Sequence, residues 1–238
     1  MKSFFTAAAI ACLTGAAHAD WYAGNPASTT LAPLGGFAWS TGAPSPGYVA
    51  FTFDNFTWTN AGGGMVGSLG GHFISAGGGP ISSATYAQWE IRSGVSAGNA
   101  GTLVASGSGV PVLTSTSFTS QIIGYAVPDP VARVELDIAD FVLAPGNYWL
   151  GFSIGDAGAG GGGFIAETVG TGGVGGPLND GNAFYFQGDG TTNPWNYVDV
   201  TSTWGGPMDA AYFITEVPAP AGTGILALGV LTIVRRRR

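Results

Sequence analysis

Short runs of alternating apolar and polar residues, separated by turns rich in glycine and proline, recur along this chain. The run Tyr86–Ser93 places Ala87, Trp89 and Ile91 in one phase and polar residues in the other. The run Val131–Ile138 repeats the pattern, with Arg, Glu and Asp in its polar phase. A period of two is typical of a β-strand with one buried and one solvated face. We therefore expect the chain to fold as short, half-buried strands.

A third run of this kind follows the turn Ala144–Asn147. The large apolar residues of the segment Tyr148–Ile154 share one phase, whereas Trp149 lies in the other. Further strands are predicted over five segments, namely Tyr48–Phe53, Thr102–Ser106, Gln121–Val127, Ala183–Gln187 and Ala211–Thr215.

The strands, the turns and the lack of a sustained helical stripe together predict an all-β fold. Of 238 residues, 42 are glycine and 14 are proline, and two stretches, Asn60–Gly79 and Asp156–Pro177, are especially rich in glycine. Many short strands joined by such turns favour a β-sandwich or a barrel, and we expect a jelly-roll-like β-sandwich. Residues 20–216 have the length of one domain and contain no cysteine, so no disulfide framework is expected.

The predicted domain is strongly acidic. All 14 Asp and Glu residues lie within residues 20–216, where Arg92 and Arg133 are the only Lys or Arg residues, so its net charge is about −12. Binding to nucleic acid or to anionic membranes needs clustered basic side chains. The charge therefore excludes nucleic acid as a partner.

The first residues have the layout of a secretory signal, predicted over residues 1–19. A positively charged start precedes an apolar run that is too short to span a bilayer as a helix. The run closes on a small-x-small cleavage site formed by Ala17, His18 and Ala19, after which polarity rises. We expect the mature protein to begin at Asp20 and Cys12 to be discarded with the signal.

The last residues, 217–238, combine a proline motif, an apolar segment and a basic end. The order is Val217-Pro218-Ala219-Pro220, the apolar run Ala221–Val234, and then Arg235, Arg236, Arg237 and Arg238. Fourteen helical residues reach about 21 Å, short of the ~30 Å hydrocarbon core of a bilayer. Terminal arginines stay on the cytoplasmic side. We expect a hydrophobic sorting helix that enters the inner membrane transiently, with a plain single-span anchor as the alternative.

This tail resembles the PEP-CTERM sorting signal, which exosortase processes in Gram-negative bacteria. Ala219 stands where that motif has glutamate between the two prolines. The resemblance implies export across the inner membrane and cleavage near the proline motif by an exosortase-like enzyme. It also implies delivery to the cell surface or to the extracellular polysaccharide matrix.

The middle of the chain resembles the ectodomains that PEP-CTERM proteins often carry. The resemblance rests on four segments, Trp89–Gly94, Gly101–Gly107, Leu143–Leu150 and Asp209–Phe213. It implies an extracellular β-sandwich, and it transfers no catalytic residues.

Two short motifs match enzyme signatures only formally. The segment Gly94–Gly98 fits G-x-S-x-G, but a nucleophile elbow needs a following helix and a later histidine, and His72 precedes it. The segment Gly158–Gly163 fits G-x-G-x-x-G without the βαβ unit of a dinucleotide site. We interpret the first as a turn and the second as a loop.

The segment Glu135–Asp140 resembles the E-x-D-x-x-E strand of jelly-roll β-glucanases. Alternation puts Glu135 and Asp137 on one face, and a bulge is needed to bring Asp140 round to them. Retaining glycosidases need carboxyl groups about 5–5.5 Å apart, and Asp140 is one methylene shorter than the glutamate of that pattern. We therefore expect no catalytic residue here, with a glycosidase as an alternative.

Oxygen donors cluster at Asp180, Asn182 and Asp189, in turns that contain glycine. Calcium takes 6–8 such ligands, but the same residue types are common in ordinary turns. No cofactor is expected, although calcium remains open, and zinc is disfavoured by a domain with one histidine and no cysteine.

Aromatic residues near polar turns are the candidates for ligand binding. Trp195, Tyr197 and Trp204 lie among Asn, Asp, Ser and Thr, and Trp149 is on the polar phase of its strand. Large aromatic side chains more often fill a core than bind a ligand. We therefore expect a non-enzymatic surface or matrix protein, with a glycan-binding module that contacts extracellular polysaccharide as the alternative.

Overall fold

The computed structural model describes residues 21–27, 36–38, 49–60, 63–75, 81, 83–120, 128–155, 163–188, 196–200 and 209–217. All of them belong to one compact unit of the chain, Ala19–Val217. Residues 1–18 and 218–238 lie outside the described residues. The described residues are nearly all in strands and turns, and every strand pairing among them is antiparallel, which confirms the expected all-β class.

Among the described residues, seven strands form a first sheet, sheet 1. Its long central strand, β4, pairs with β8 along one side and with β10 and β15 along the other. The outer positions are taken by β7 beside β8, β1 beside β15, and β2 beside β10. Numbered in chain order, these strands are β1 (Trp21–Tyr22), β2 (Gly36–Ala38), β4 (Gly64–Ser75), β7 (Val112–Ser120), β8 (Asp129–Leu143), β10 (Gly163–Ile165) and β15 (Tyr212–Glu216).

Six described strands form sheet 2, in the order β13, β12, β3, β9, β5 and β6. Their bounds are β3 (Val49–Trp58), β5 (Tyr86–Ser93), β6 (Thr102–Gly109), β9 (Gly146–Gly155), β12 (Phe184–Gly188) and β13 (Val198–Asp199). A separate two-residue pairing joins β11 (Glu167–Thr168) to β14 (Asp209–Ala210).

The main hydrophobic core is built from both sheets. Alternation along each strand turns one set of large side chains toward this core and the next set away from it. Sheet 1 contributes Leu69, Phe73, Val134, Leu136, Tyr212 and Ile214, and sheet 2 contributes Phe56, Trp58, Trp89, Ile91, Leu150, Phe152 and Ile154.

The alternating runs are confirmed as strands. β5 has the predicted bounds, and Ala87, Trp89 and Ile91 are its buried residues. β8 extends the predicted run in both directions, with Val134 and Leu136 buried. The predicted strand at Gln121–Val127 lies outside the described residues.

Among the strands of eight or more residues, β4 and β7 were not predicted, and neither were the two- and three-residue strands. β4 carries four glycines and lies in the stretch interpreted only as glycine-rich. The reason for glycine is close packing, because a Cβ on Gly71 would lie 2.7 Å from both Ile165 and Tyr212. The sequence signal of a strand is weak where the neighbours leave no room for side chains.

Candidate functional site

The face of sheet 2 that points away from the main core carries an aromatic cluster closed by Arg92. Phe53 of β3 lies over Gly151 of β9, where a Cβ would be 2.6 Å from the Phe53 ring. Tyr197 packs on Phe53 with ring centroids 5.5 Å apart. The Arg92 guanidinium lies 5.9 Å from the Phe53 centroid and 5.8 Å from that of Tyr197. Arg92 is also paired with Glu90 on its own strand, so its charge is compensated.

Of the four aromatic residues predicted to bind a ligand, Trp149 and Tyr197 are described, and their environments differ. Tyr197 is 4% exposed and belongs to the aromatic cluster, which favours a packing role for it. Burial raises the pKa of its hydroxyl, and the neighbouring Arg92 charge acts in the opposite direction. Trp149 is half-buried against the same cluster. Trp195 and Trp204 lie outside the described residues.

Across the strands of sheet 2, Trp149 has polar neighbours in register. Asn55 of β3 is its partner on one side, and Arg92 of β5 is its partner on the other. Directly paired side chains lie about 4.5–5.5 Å apart at Cβ. The row therefore combines an indole ring with an amide and a guanidinium on one face of the sheet.

Sheet 1 repeats this arrangement on its own outer face. The Arg133 guanidinium of β8 lies 3.5 Å from the ring centroid of Phe213 on β15, across Gly70 of β4. Arg133 Nη2 donates to Glu135 Oε2 at 3.1 Å, and the Ser68 hydroxyl donates to Glu135 Oε1 at 2.6 Å. Both carboxylate oxygens of Glu135 are thus hydrogen-bonded within the sheet.

The other two carboxylates of the glucanase-like pattern lie farther along β8. Asp137 and Asp140 are exposed. The register of β4 and β8 shifts so that residues 138–140 lie opposite Gly67, and this is the bulge that the pattern requires. A Cβ on Gly67 would lie 3.3 Å from Asp140 Oδ1, so this carboxylate sits beside the β4 backbone.

His72 of β4 is a buried, uncharged member of the same outer face. Its Nδ1 lies 3.3 Å from the Ala211 carbonyl oxygen, which can only accept, so the neutral ring carries its proton on Nδ1. Tyr22 and Phe118 contact the imidazole ring. Burial lowers the pKa of His72 to about 4, and the Arg133 charge contributes in the same direction.

Asp54 of β3 is buried, and its carboxylate accepts hydrogen bonds from two backbone N–H groups. Its Oδ2 accepts from the Ala210 N–H at 2.7 Å and its Oδ1 from the Asn55 N–H at 2.9 Å. Asp209 accepts from the N–H groups of Asp180 and Gly181. Burial raises the pKa of the Asp54 carboxyl, and the nearby Asp209 charge raises it further. These carboxyls bind β3, β14 and the 179–182 loop together.

The oxygen donors considered for calcium take part in this loop. Asp180 is exposed, and its carboxylate accepts from the Asn55 side-chain amide and from the Asn182 N–H. Asp189 lies outside the described residues. Within the described ranges, no group of three or more His, Cys, Asp or Glu side chains is placed to hold a metal ion.

The segment Gly94–Gly98 forms a tight turn, as expected from its glycines. Ser96 and Asn99 exchange two backbone hydrogen bonds, and Gly94 and Gly98 have positive φ angles of 69° and 72°. Of the glycine-rich segment 158–163, only Gly163 is described, and it begins β10.

The predicted sorting and signal segments fall almost wholly outside the described residues. Ala17, Ala19 and Asp20 are not described, and neither are Pro218, Ala219, Pro220 and Arg235 to Arg238. Val217 is described, and its N–H donates to the Met65 carbonyl of β4 at 2.7 Å. In the described part of the chain, no helix has the length and apolar character needed to cross a membrane.

The Arg–Glu–aromatic arrangements were not predicted, although part of each arrangement is visible in the sequence. Each of the two arginines of the domain stands two residues from a glutamate in an alternating strand, so each pair shares a face. The aromatic partners come from distant parts of the chain and carry no local signal. No protein-family model and no curated protein matches this sequence.

Proposed function

We propose that this chain is a non-enzymatic protein of the bacterial cell surface or extracellular matrix. In this proposal residues 20–216 form a jelly-roll-like β-sandwich that is exported by the N-terminal signal. The C-terminal tail, which resembles the PEP-CTERM signal, inserts transiently into the inner membrane of a Gram-negative bacterium. It holds the protein there until an exosortase-like enzyme cleaves it. The observation that carries the proposal is the combination of these two chain ends with one acidic all-β domain.

The absence of a catalytic role is supported by the environment of Glu135. Its two carboxylate oxygens accept hydrogen bonds from Ser68 and Arg133, so it is held as a structural acceptor. A glycosidase nucleophile or acid must instead face the sugar, with its partner carboxyl at a defined separation. Release of reducing sugar from a β-glucan by the wild type, lost in Glu135→Gln, would overturn this part of the proposal.

The sorting role is tested by removing the basic end. The variant with Arg235, Arg236, Arg237 and Arg238 all changed to Ala should fail to reach the surface, because these charges stop translocation at the cytoplasmic side. Surface labelling and cell fractionation measure delivery.

The matched control changes Arg92 or Arg133 to Lys, which keeps the charge but leaves the tail untouched. Both lysine variants should be delivered normally. Normal delivery of the quadruple alanine variant would contradict the proposal.

Glycan binding is the second candidate, and the row Asn55, Trp149 and Arg92 favours it. An indole face packs on the apolar face of a sugar ring, and the flanking amide and guanidinium supply hydrogen bonds to its hydroxyl groups. A domain of about −12 charge repels anionic polymers, so the ligand would be a neutral or cationic polysaccharide.

Trp149→Ala separates binding from packing. A binding role predicts lost retention on a polysaccharide affinity gel with a small change in melting temperature. A packing role predicts a stability loss of roughly 3–5 kcal/mol instead. Tyr86→Ala, which removes another partly exposed aromatic side chain of sheet 2, is the control and should retain binding.

A further inference from the structure

Among the described strands, two sheet edges that lie on one flank of the domain have no further partner strand. β6 is the outer strand of sheet 2 and pairs with β5 alone among the described strands. β7 is one of the outer strands of sheet 1, and only Val110 and Pro111 separate it from β6. Gly109 at the end of β6 lies beside Leu136 of β8, so both edges belong to the same flank. On an edge strand, alternate backbone N–H and C=O groups point away from the sheet without a partner strand.

This flank is also unusually apolar at its surface. Seven large hydrophobic side chains of the described residues are more than a third exposed, and four of them are here: Leu103, Val104, Val110 and Val112. Val110 is 74% exposed and Val112 65%.

Neither edge strand carries a charged side chain of its own. The sequence has no Asp, Glu, Lys or Arg from Ser93 through Pro128, in a domain that otherwise carries about −12 charges. Exposed sheet edges are ordinarily blunted by charged side chains, most often lysine, because a bare edge pairs with other strands. Both β6 and β7 lack that protection.

We propose that the β6 edge pairs with the β6 edge of a second copy of this chain. The two strands run antiparallel around a two-fold axis, so that sheet 2 of one copy continues into sheet 2 of the other. An antiparallel strand is self-complementary, since each outward N–H of one copy meets an outward C=O of its partner.

β6 is better suited to this pairing than β7. From Ala105 to Gly109 it stays in unbroken register with β5, and its side chains are small. In β7 the register with β8 shifts between Ser115 and Thr119. There the Phe118 N–H is bound by the Thr116 hydroxyl oxygen, and that hydroxyl donates to the Val131 carbonyl.

We choose a second copy as the partner because the pairing is self-complementary and because the edge strand carries no charge that would favour a basic partner. Two copies repel one another over most of their acidic surfaces, and the uncharged flank is where that repulsion is smallest. A basic partner would gain nothing from this flank and would bind the acidic surface instead. Salt should therefore strengthen the self-association, because it screens the repulsion between the two domains.

The test compares two full-length double variants by analytical ultracentrifugation in the same non-ionic detergent. Ser106→Glu with Ser108→Glu places carboxylates on both sides of the two-fold axis and should weaken dimerisation at least tenfold, or about 1.4 kcal/mol. Thr59→Glu with Ala144→Glu adds the same charge at two exposed positions that lie neither on β6 nor on its neighbour β5, and it should dimerise like the wild type. Circular dichroism melts check that all three chains are folded.

Hydrogen exchange of the wild type gives a second readout that needs no variant. The β6 amides should exchange more slowly in concentrated solution than after roughly hundredfold dilution, while the exchange of the buried β4 amides stays unchanged. Three results would each overturn the proposal. They are a wild type that stays monomeric, dimerisation that is weakened equally in the control variant, and β6 amides whose exchange rate does not depend on protein concentration.

Discussion

At the scale of single residues, the outer faces of the two sheets each hold an arginine in the same way, against an aromatic ring and beside a glutamate. A glycine, Gly151 or Gly70, leaves room for an aromatic ring on the backbone, and the arginine of a neighbouring strand lies against that ring. A glutamate two residues away on the arginine's own strand compensates the charge. Such cation–π contacts contribute about 0.5–1 kcal/mol when exposed and more when water is excluded.

His72 makes the stability of the fold depend on pH. Between pH 6.5 and about 4 the unfolded chain binds a proton at His72 and the folded chain does not, so stability falls as the pH falls through this range. The loss should reach about 3 kcal/mol at the lower end, from 1.36 kcal/mol per pKa unit. NMR titration of the imidazole and denaturant unfolding at several pH values measure the two quantities.

The control for this prediction is His72→Gln, which retains a side-chain donor but does not titrate. Such a control is needed because Asp54 changes the stability of the fold with pH in the opposite direction. Its pKa is raised in the folded state, so its contribution stabilises the fold as the pH falls. Subtracting the pH profile of the variant from that of the wild type removes this contribution. A difference that stays flat between pH 6.5 and 4 would falsify the assignment.

At the scale of strands, β15 links the two sheets through one buried side chain. Tyr212 lies in sheet 1, and its hydroxyl donates to the Thr52 carbonyl of β3 at 2.8 Å. The Phe152 carbonyl of β9 lies 3.2 Å from the same oxygen. Burial raises the pKa of this hydroxyl far above its ordinary value, so it remains a donor at every ordinary pH.

Tyr212→Phe should lower the free energy of unfolding by about 1–2 kcal/mol, because it removes a buried inter-sheet hydrogen bond without opening a cavity. Tyr148→Phe is the matched control. Its hydroxyl donates to the Ala144 carbonyl at an exposed position, so its loss should cost less than about 0.5 kcal/mol. Equal costs for the two variants, measured by urea denaturation, would argue against a special role for Tyr212.

At the scale of the whole molecule, one stretch of the domain combines exposed hydrophobic side chains with an absence of charge. The acidic residues of the domain lie outside residues 93–128, and four of the seven exposed large hydrophobic side chains among the described residues, Val110 included, lie within that stretch. Net charge of this size keeps a protein soluble, and an uncharged edge leaves one direction in which copies can associate. This distribution is consistent with the proposed pairing of two copies through β6.

The proposed export makes a simple prediction about the mature chain. Exported protein should begin at Asp20, because the cleavage site Ala17-His18-Ala19 closes the apolar run. N-terminal sequencing or intact-mass measurement of secreted material checks the boundary. Ala19→Pro should block cleavage and leave the longer chain in the membrane fraction, whereas Asp20→Asn should be processed normally.

The strand pattern was largely predictable, and the tertiary partners were not. Alternation placed β5 and the first half of β8 with the correct buried faces, because a half-buried strand exposes every second side chain. In β9 it placed Leu150, Phe152 and Ile154 in the main core, although residues 150–155 of that strand are buried on both faces. Trp149 was correctly placed on the face away from the main core for the same reason. Its neighbours Asn55 and Arg92 could not be predicted, because strand order and register depend on contacts distant in sequence.

By itself the sequence determined the all-β class, the buried phase of the alternating strands, the acidic charge and the uncharged stretch 93–128, since each of these follows from local composition and period. Only the tertiary structure decided that the glycine-rich segment of β4 is the centre of a sheet, because its glycines are required by neighbours such as Tyr212 and Phe213. It also decided that Glu135 is bound by Ser68 and Arg133, and that β6 is an edge. These facts depend on which strands lie side by side, and long-range packing energy selects that arrangement.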